Sequence, residues 1–245
     1  MKEIATRPAI YNIWKKIERF TVPNFRLGYT VNKPIADEFN KMYRVQYEVI
    51  RNVALLRTLP EIQKKEKFIL YQGAVNEGRS FETLIPAMKA VQHKLIICGD
   101  GNFMQQAQQL VIHHNLEDKV IFKGKITPDE LRTITQQAYI GVTLFDDAGL
   151  SNYYSLANRF FDYLHAGIPQ LCVNYPVYKE LNKNYPFAVL TDDISVAGLA
   201  KELNSLLSND LLYDSLKQNC LKAREIYNWQ EEEKKLIAFY RSILG

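Results

Sequence analysis

The chain has 245 residues, 47% of them hydrophobic and 24% charged, so it is long enough to bury one large core or two small ones. Its formal net charge of +4 is spread over short basic and acidic runs, and no block is long enough to predict a nucleic-acid-binding arm. No apolar stretch reaches the roughly 18 residues of a membrane span, and the first residues lack the apolar core of a signal peptide.

Cysteine and histidine usage indicates neither a disulfide framework nor a metal site. Cys98, Cys172 and Cys220 are widely spaced, and the first two lie in apolar runs, which favours buried free thiols and a reducing compartment. The four histidines show no metal-ligand spacing. We therefore predict a cytoplasmic protein that uses neither a metal nor another cofactor.

Residues 1–60 contain two helical and two extended stretches. The runs PAIYNIWKKIERF and KPIADEFNKMY predict helices, and LGYTVN and YEVIRN predict extended chain. Two short strands and two helices are too few for an independent domain. We expect this segment to be the end of a preceding α/β domain or an extra layer on the main one.

From about residue 66 onward, short apolar runs alternate with longer helical ones. The predicted strands are KFILYQG, KLIICGDG, KVIFKG, YIGVTLF and PQLCVN, with a shorter one at FAVLT. Strand–helix alternation predicts a parallel sheet, and strands that are apolar throughout predict helices on both of its faces. A last helix after Asn228 is expected to cover the sheet edge or to cross back to another domain.

The loops that follow the first three of these strands carry candidate ligand contacts, because open α/β sheets bind ligands at the carboxyl ends of their strands. The candidates are Gly73, Ala74, Gly99, Lys123 and Gly124. Arg79, at the end of the first loop, can direct two donors at a phosphate. A structural alternative stays open for each, with a solvated Arg79 and a tight turn at Gly99.

Two further signals in these loops have structural explanations. GDGNFM lacks the third glycine of a dinucleotide fingerprint and does not predict an NAD site. Thr127, Pro128 and Glu130 have the spacing of a capping box with proline at the first helical position.

The stretch NYYSLANRFFDYLHAGIPQ, residues 152–170, predicts a polar helix start followed by an acidic helix face. A helix start attracts phosphate, and a carboxylate one turn along, Asp162, can accept hydrogen bonds from ribose hydroxyls. Asn158 lies on the same face as Asp162. The alternative is an ordinary amphipathic helix with Phe161 in the core, and with Asn158 and Arg159 paired to nearby charges at the surface.

Taken together, GAVNEGRSFETLIPAM, KLIICGDGN, KVIFKGKITPDEL, NRFFDYLHAGIPQ and NWQEEEKKLIAFY resemble the carboxyl-terminal half of a group-one glycosyltransferase with the glycosyltransferase-B fold. The resemblance covers about residues 66–245. It implies a Rossmann-like donor domain over residues 61–245 that binds a nucleoside-diphosphate sugar of the uridine or guanosine type. Residues 1–60 then resemble a remnant of the amino-terminal acceptor domain or an interdomain segment, most of that domain being absent from this chain.

The resemblance also assigns roles to residues. Asp162 resembles the ribose-binding acid, which is normally glutamate, and Arg79 resembles the basic residue that neutralises the diphosphate leaving group. The amides expected to meet the phosphates at the helix start are those of Ser155, Leu156 and Ala157.

Two positions depart from the family pattern. Tyr154 stands where the family often has a second acid, eight residues before the ribose acid, and Ser80 stands where glycine is common. The first departure leaves the sugar-contacting role without its usual side chain.

The resemblance implies a hexosyltransferase of the retaining kind, acting in the synthesis of a polysaccharide or glycoconjugate on a glycan or lipid-linked acceptor. The isolated chain is expected to bind the donor, whether or not it transfers sugar. Two alternatives stay open: a sugar-nucleotide epimerase of the same fold, and a nucleotide-sugar-binding scaffold that has lost catalysis. Peripheral association of the full-length protein with a membrane is a further expectation, and no oligomeric state is indicated.

Overall fold

The computed structural model describes residues 7–60, 66–147 and 149–245. Its strands are β1 (Leu27–Thr30), β2 (Gln46–Val49), β3 (Phe68–Gln72), β4 (Lys94–Cys98), β5 (Val120–Gly124), β6 (Ile140–Thr143), β7 (Gln170–Val173) and β8 (Ala188–Thr191). Its helices are α1 (Pro8–Thr21), α2 (Lys33–Tyr43), α3 (Phe81–Ala87), α4 (Met104–His113), α5 (Pro128–Gln137), α6 (Leu150–Tyr153), α7 (Asn158–His165), α8 (Pro176–Leu181), α9 (Val196–Ser208), α10 (Asp210–Ala223) and α11 (Trp229–Leu244). Within those described ranges, no helix combines the length and hydropathy needed to cross a membrane.

Strands β3 to β8 form one parallel sheet in the order β5-β4-β3-β6-β7-β8. Adjacent residues of β3, Leu70 and Tyr71, belong to different apolar clusters, as expected where helices cover both faces of a sheet. The predicted α/β class and parallel sheet are therefore confirmed. The strand order reverses between β3 and β6, and open sheets of this kind bind ligands beyond the carboxyl ends of the strands at that switch point.

The amino-terminal segment forms its own small βαβ unit. Strands β1 and β2 pair in parallel, with Leu27 opposite Gln46, and α2 connects them. The side chain of Asn32 caps α2 by accepting a hydrogen bond from the Ile35 N–H at 3.0 Å, and its amide group donates to the Tyr154 carbonyl at 2.8 Å. The two predicted helices and two extended stretches are present, while the predicted boundary between residues 60 and 61 stays a prediction.

Helix α11 packs against the amino-terminal segment of the chain. Asn228 caps it by accepting a hydrogen bond from the Glu231 N–H at 3.0 Å. The Phe239 ring packs edge-on against Tyr29 of β1, with 5.5 Å between ring centroids. The buried carboxylate of Glu232 accepts a hydrogen bond from the Arg51 backbone N–H at 2.9 Å. The last helix therefore crosses back to the amino-terminal segment, which was one of the two expected arrangements.

Candidate functional site

Backbone contacts join the loops after β3, β4 and β5 into one rim. The Gly73 N–H donates to the Cys98 carbonyl at 2.9 Å, and the Gly99 N–H donates to the Gly124 carbonyl at 2.8 Å. Gly99 has φ +144°, and a β-carbon there would lie 1.8 Å from the Gly73 carbonyl oxygen. The close approach of two loops accounts for this glycine, which supports the structural alternative for Gly99.

The other rim positions offer a ligand mainly backbone groups, apart from the exposed side chain of Lys123. Gly73 is exposed with φ +122°, and Ala74 beside it is exposed. The Ala74 carbonyl accepts a hydrogen bond from the Tyr71 hydroxyl at 2.7 Å. Lys123 is exposed, and a β-carbon on Gly124 would meet no atom within 4 Å. Lys123 and Gly124 therefore lie on open surface at this edge of the sheet, where their predicted contact with a base stays a prediction.

Arg79 is held at the switch point by specific contacts. Its Nη1 donates to Asn152 Oδ1 at 3.0 Å, and its guanidinium carbon lies 4.5 Å from the centroid of the Phe145 ring. The Asn152 amide in turn donates to Asp146 Oδ1 at 2.6 Å, which fixes the orientation of its oxygen. Burial, and next the nearby positive charge of Arg159, lower the pKa of Arg79 from its ordinary value. The guanidinium therefore lies in a partly dry environment, in which the charge of Arg159 disfavours its charged form and that of Asp146 favours it, in contrast to the solvated alternative.

Ser80, one of the two departures from the family pattern, lies at a backbone position that favours glycine. It has φ +58°, in the left-handed region, where glycine is favoured. Its hydroxyl is buried and has no hydrogen-bond partner. The glycine that is common at this position in the family fits the backbone better than serine does.

Arg159 is the functional candidate that the sequence did not reveal. It is only 7% exposed, so the expected surface pairing of Arg159 is wrong. Its guanidinium carbon lies 4.8 Å from the centroids of both the Tyr71 and Phe145 rings, and its Nη2 donates to the Leu144 carbonyl at 3.3 Å. Its Nε has no partner. The aromatic residues that bury it come from β3 and from the loop after β6, so no local pattern in α7 could have indicated its position.

Arg79 and Arg159 bring two positive charges to the same aromatic ring without a paired carboxylate. Across the described ranges, neither guanidinium lies within 4.0 Å of a carboxylate oxygen. Removing a cation from water is costly unless an opposite charge compensates for it. The arrangement is therefore suited to an anionic ligand.

Asp162 also lies near the end of β3, beside Gln72, the last residue of that strand. Its Oδ2 accepts a hydrogen bond from Gln72 Nε2 at 2.8 Å, and the Gln72 Oε1 lies 2.7 Å from the Thr135 hydroxyl. Burial raises the pKa of Asp162 to about 6, although the Gln72 hydrogen bond acts in the opposite direction. At neutral pH the carboxylate is mostly ionised and can accept further hydrogen bonds.

The Asp162 carboxylate lines a cavity of about 300 Å³ between α5 and α7. The wall combines apolar side chains, including Leu55, Leu131 and Ala166, with the polar Asp162 and Arg132. More of the lining residues are polar or charged than apolar, and a cavity that combines apolar surface with convergent polar groups can hold a small polar molecule. The start of α5, at this cavity, has the predicted capping box between Thr127 and Glu130.

A second, larger groove of about 800 Å³ has no connection with these residues. It is lined by residues of α1, α2 and the adjoining turns, among them Lys15, Arg19 and Arg44. None of its lining residues comes from the six-stranded sheet or its loops. We therefore place the candidate site at the end of β3 despite the greater volume of this groove.

The backbone amides just before α7 are engaged in hydrogen bonds within the protein. Ala157 is the residue before the first helical turn, and its N–H donates to the Tyr178 hydroxyl at 3.1 Å. The Ser155 N–H donates to the Asn152 carbonyl at 3.1 Å. Both amides are hydrogen-bonded within the protein, and their predicted contact with phosphate stays a prediction. Leu156 instead packs against the core, and its contact with phosphate stays a prediction.

Asn158 contacts another part of the chain. Its Oδ1 accepts a hydrogen bond from the Asn52 amide at 3.1 Å, which links α7 to the segment between β2 and β3. The predicted face shared by Asn158 and Asp162 is present, with both side chains engaged in hydrogen bonds. The structure thus places Arg79, Gly73 and Asp162 around the end of β3, and it adds Arg159 to them.

The strand order defines a doubly wound α/β domain, and two arginines contact the Phe145 ring at its switch point. The model of the family described as glycosyl transferases group 1 matches residues 56–223. The chain therefore belongs to the group 1 glycosyltransferases, and the resemblance inferred from its motifs is confirmed.

Characterised relatives are longer than this chain. It is 25% identical over 172 residues to the O-antigen chain mannosyltransferase RfbU of Salmonella typhimurium, covering 67% of this chain and 46% of the relative. It is 25% identical over 144 residues to the alpha-monoglucosyldiacylglycerol synthase of Streptococcus pneumoniae, covering 57% of this chain and 31% of the relative. The chain thus spans less than half the length of these two relatives.

Solved structures confirm the fold. Staphylococcus aureus TarM, crystallised with fondaparinux, alpha-GlcNAc-glycerol and UDP, superposes with a TM-score of 0.74 at 15% identity, covering 92% of this chain and 46% of TarM. Anabaena HepE, crystallised with UDP and glucose, superposes with a TM-score of 0.72 at 14% identity, covering 89% of this chain and 63% of HepE. Both likenesses support the glycosyltransferase-B architecture predicted for residues 61–245.

Proposed function

We propose that this chain binds a nucleoside-diphosphate sugar, of the uridine or guanosine type, and forms the donor half of a hexosyltransferase. The observation that carries the proposal is Arg79, a partly buried cation at the switch point of the sheet, which has no carboxylate oxygen of the described residues within 4.0 Å. In this role Arg79 stabilises the negative charge that develops on the diphosphate as the glycosidic bond breaks. The presence of UDP in the TarM and HepE crystals supports a diphosphate ligand.

Asp162 is the proposed contact for the ribose hydroxyls. Its carboxylate faces the cavity between α5 and α7, and its second partner is the neutral Gln72 amide rather than a cation. A ribose hydroxyl can therefore add a hydrogen bond without breaking an ion pair. Aspartate is shorter than the usual glutamate by one methylene, and the fixed Gln72 partner limits its movement.

The proposed transfer uses no side-chain nucleophile and no cofactor. Burial raises the pKa of the Cys98 thiol to about 11 and raises that of Cys172 well above its ordinary value, so both stay protonated at neutral pH. A protonated thiol is a poor nucleophile. We therefore propose transfer by stabilisation of the leaving group, with retention of anomeric configuration.

The acceptor side of the reaction is proposed from the family alone. We assign residues 1–60 to the acceptor half or to the segment between the halves, and we propose a glycan or lipid-linked acceptor. This proposal is supported by the two relatives above, which are an O-antigen chain mannosyltransferase and an alpha-monoglucosyldiacylglycerol synthase. A cytoplasmic location rests on Cys98 and Cys172, which are free and buried, and peripheral membrane association stays a prediction.

One observation favours a second candidate. Tyr154 occupies the place of the sugar-contacting acid, and its carbonyl is bound by Asn32. A chain that binds the nucleotide but lacks this acid would act as a nucleotide-sugar-binding module without catalysis. The comparisons bring no support for the epimerase alternative.

Calorimetric titration with uridine, guanosine, adenosine and cytidine diphosphates tests the donor site. We expect saturable binding of one of them, weakened by about 1–3 kcal/mol in Asp162→Ala, the scale of a charged hydrogen bond. Arg79→Ala should weaken the diphosphate far more than the matching nucleoside. The matched control is Arg241→Ala, an exposed arginine of α11. Absence of binding for all four would reject a donor site in this chain.

Turnover separates the two candidates. The assay offers sugar donors of the base that binds to the chain and measures release of the free diphosphate. Release of diphosphate that requires Arg79 would favour the transferase. Tight donor binding without release, also after addition of a relative's acceptor half, would favour the binding module.

A further inference from the structure

We infer that Arg159 is a second cation of the diphosphate site, acting with Arg79 to hold the anion beside the Phe145 ring. This inference rests on the proposed function and adds a residue from α7, a different part of the fold from the loop that carries Arg79. It is carried by the burial of Arg159, by its unsatisfied Nε, and by the absence of a side chain at Gly73.

The first step is the free-energy cost of burying the charged Arg159 side chain when no anion is bound. The residue is only 7% exposed, its Nη2 donates to the Leu144 carbonyl at 3.3 Å, and among the described residues its Nε has no hydrogen-bond partner. An apolar residue between Tyr71 and Phe145 would fill this place without removing a charge from water. A buried guanidinium with spare donors is understandable if an anion completes its hydrogen bonds.

The second step is access from the surface. Gly73 is exposed, and a β-carbon built on it would lie 3.5 Å from Arg159 Nη1. Glycine therefore leaves the Nη1 edge of the guanidinium uncovered where the strand ends. The flanking rings of Tyr71 and Phe145 hold the planar guanidinium in place, so its donors are already oriented before a ligand arrives.

The third step is the charge that a diphosphate requires. Among the six residues from Gly73 to Gly78, none is basic, and Glu77 is acidic, so Arg79 is the cation that this loop supplies. Arg79 and Arg159 both contact the Phe145 ring, so both charges lie beside the same side chain. Two guanidinium groups match a ligand with two adjacent phosphates better than one does.

The experiment compares Arg159→Met and Arg159→Lys in the full chain by calorimetry with UDP, uridine and inorganic pyrophosphate, and by thermal unfolding without ligand. If another base binds better than uridine, its diphosphate and nucleoside replace UDP and uridine. Arg159→Met should lower the affinity for the diphosphate about ten- to hundredfold, the loss of one to two charged hydrogen bonds. Nucleoside affinity should change less than about twofold, and the melting temperature should stay equal or rise because a buried charge is removed. Arg159→Lys should restore only part of the affinity.

The matched control is Arg241→Met. Arg241 is an exposed arginine of α11 and does not line the cavity that contains Asp162. This variant should leave the ratio of diphosphate to nucleoside affinity unchanged. An unchanged ratio in Arg159→Met as well would overturn the inference while the donor site stands.

The two proposals can fail separately. If no nucleoside diphosphate binds to the wild-type chain, the proposed function fails, and pyrophosphate then tests the arginine pair by itself. Pyrophosphate binding that is lost in Arg159→Met and in Arg79→Met would support the pair. No pyrophosphate binding to the wild-type chain would overturn it.

Discussion

Replacing Asp162 by asparagine is expected to stabilise the protein at neutral pH while weakening nucleotide binding. Burial raises the folded-state pKa of Asp162 from 3.8 to about 6. At about 1.4 kcal/mol per unit, this shift corresponds to about 3 kcal/mol of stability lost when the carboxyl group ionises in the folded protein. Asparagine keeps an oxygen that can accept the Gln72 hydrogen bond and removes the charge.

The sign of the pH dependence follows from the raised pKa. The contribution of Asp162 to the free energy of unfolding is fully present below the unfolded-state pKa and is lost as the pH rises through about 6. Asp162→Asn should therefore exceed the wild type by about 2–3 kcal/mol at pH 7.5 and by about 0.5 kcal/mol at pH 4.

Urea denaturation of both proteins at several values between pH 4 and 7.5 measures this difference. The control is Asp118→Asn, a substitution of an exposed carboxylate in the turn before β5. Titration of UDP over the same range should show affinity falling below about pH 6 in the wild type, since a protonated carboxyl group is a weaker acceptor for ribose. A stability difference that is constant with pH, or larger at pH 4, would refute the reasoning.

Three further predictions concern stability and are measured by chemical denaturation. Gly99→Ala should cost more than about 3 kcal/mol because its methyl group would lie 1.8 Å from the Gly73 carbonyl oxygen, whereas Gly124→Ala should cost only about 1–2 kcal/mol from its φ of +64°; equal costs would contradict the close approach. Ser80→Gly should gain about 1 kcal/mol by relieving left-handed strain and removing an unsatisfied hydroxyl, and a loss would show that the hydroxyl is bonded. Glu232→Gln should cost about 3 kcal/mol near pH 7, because its partners Arg51 and Lys235 lose a buried carboxylate. Hydrogen bonds hold the pKa of Glu232 below its ordinary value despite burial, so this cost should shrink as the pH falls through that lowered pKa, and a cost independent of pH would contradict the ion pairs.

The sheet could be predicted from the sequence because its strands are apolar throughout and separated by helical runs. The hydrophobic pattern records burial on both faces, and burial is what an all-parallel sheet requires. The strand at Phe68–Gln72 and the capping box at Thr127 were visible in the same way, since each depends on residues a few positions apart.

The site could be predicted only in part, because its contacts join distant segments. Asp162 was found from its helix position, but its raised pKa depends on burial beside Gln72, which is 90 residues away. Arg159 resembled a surface residue because the rings that enclose it belong to β3 and to the loop after β6. The sequence could not show that the Ala157 amide is hydrogen-bonded, because its partner, the Tyr178 hydroxyl, belongs to α8.

The glycine rim restricts where the proposed donor site can change. Gly73 and Gly99 approach so closely that the loops of β3 and β4 behave as one body, with Gly99 joined in turn to Gly124 on the third loop. A mutation of the rim backbone therefore alters folding before it alters recognition. We expect changes in the preference of the proposed donor site to be acquired through side chains that stand on the rim, such as Lys123.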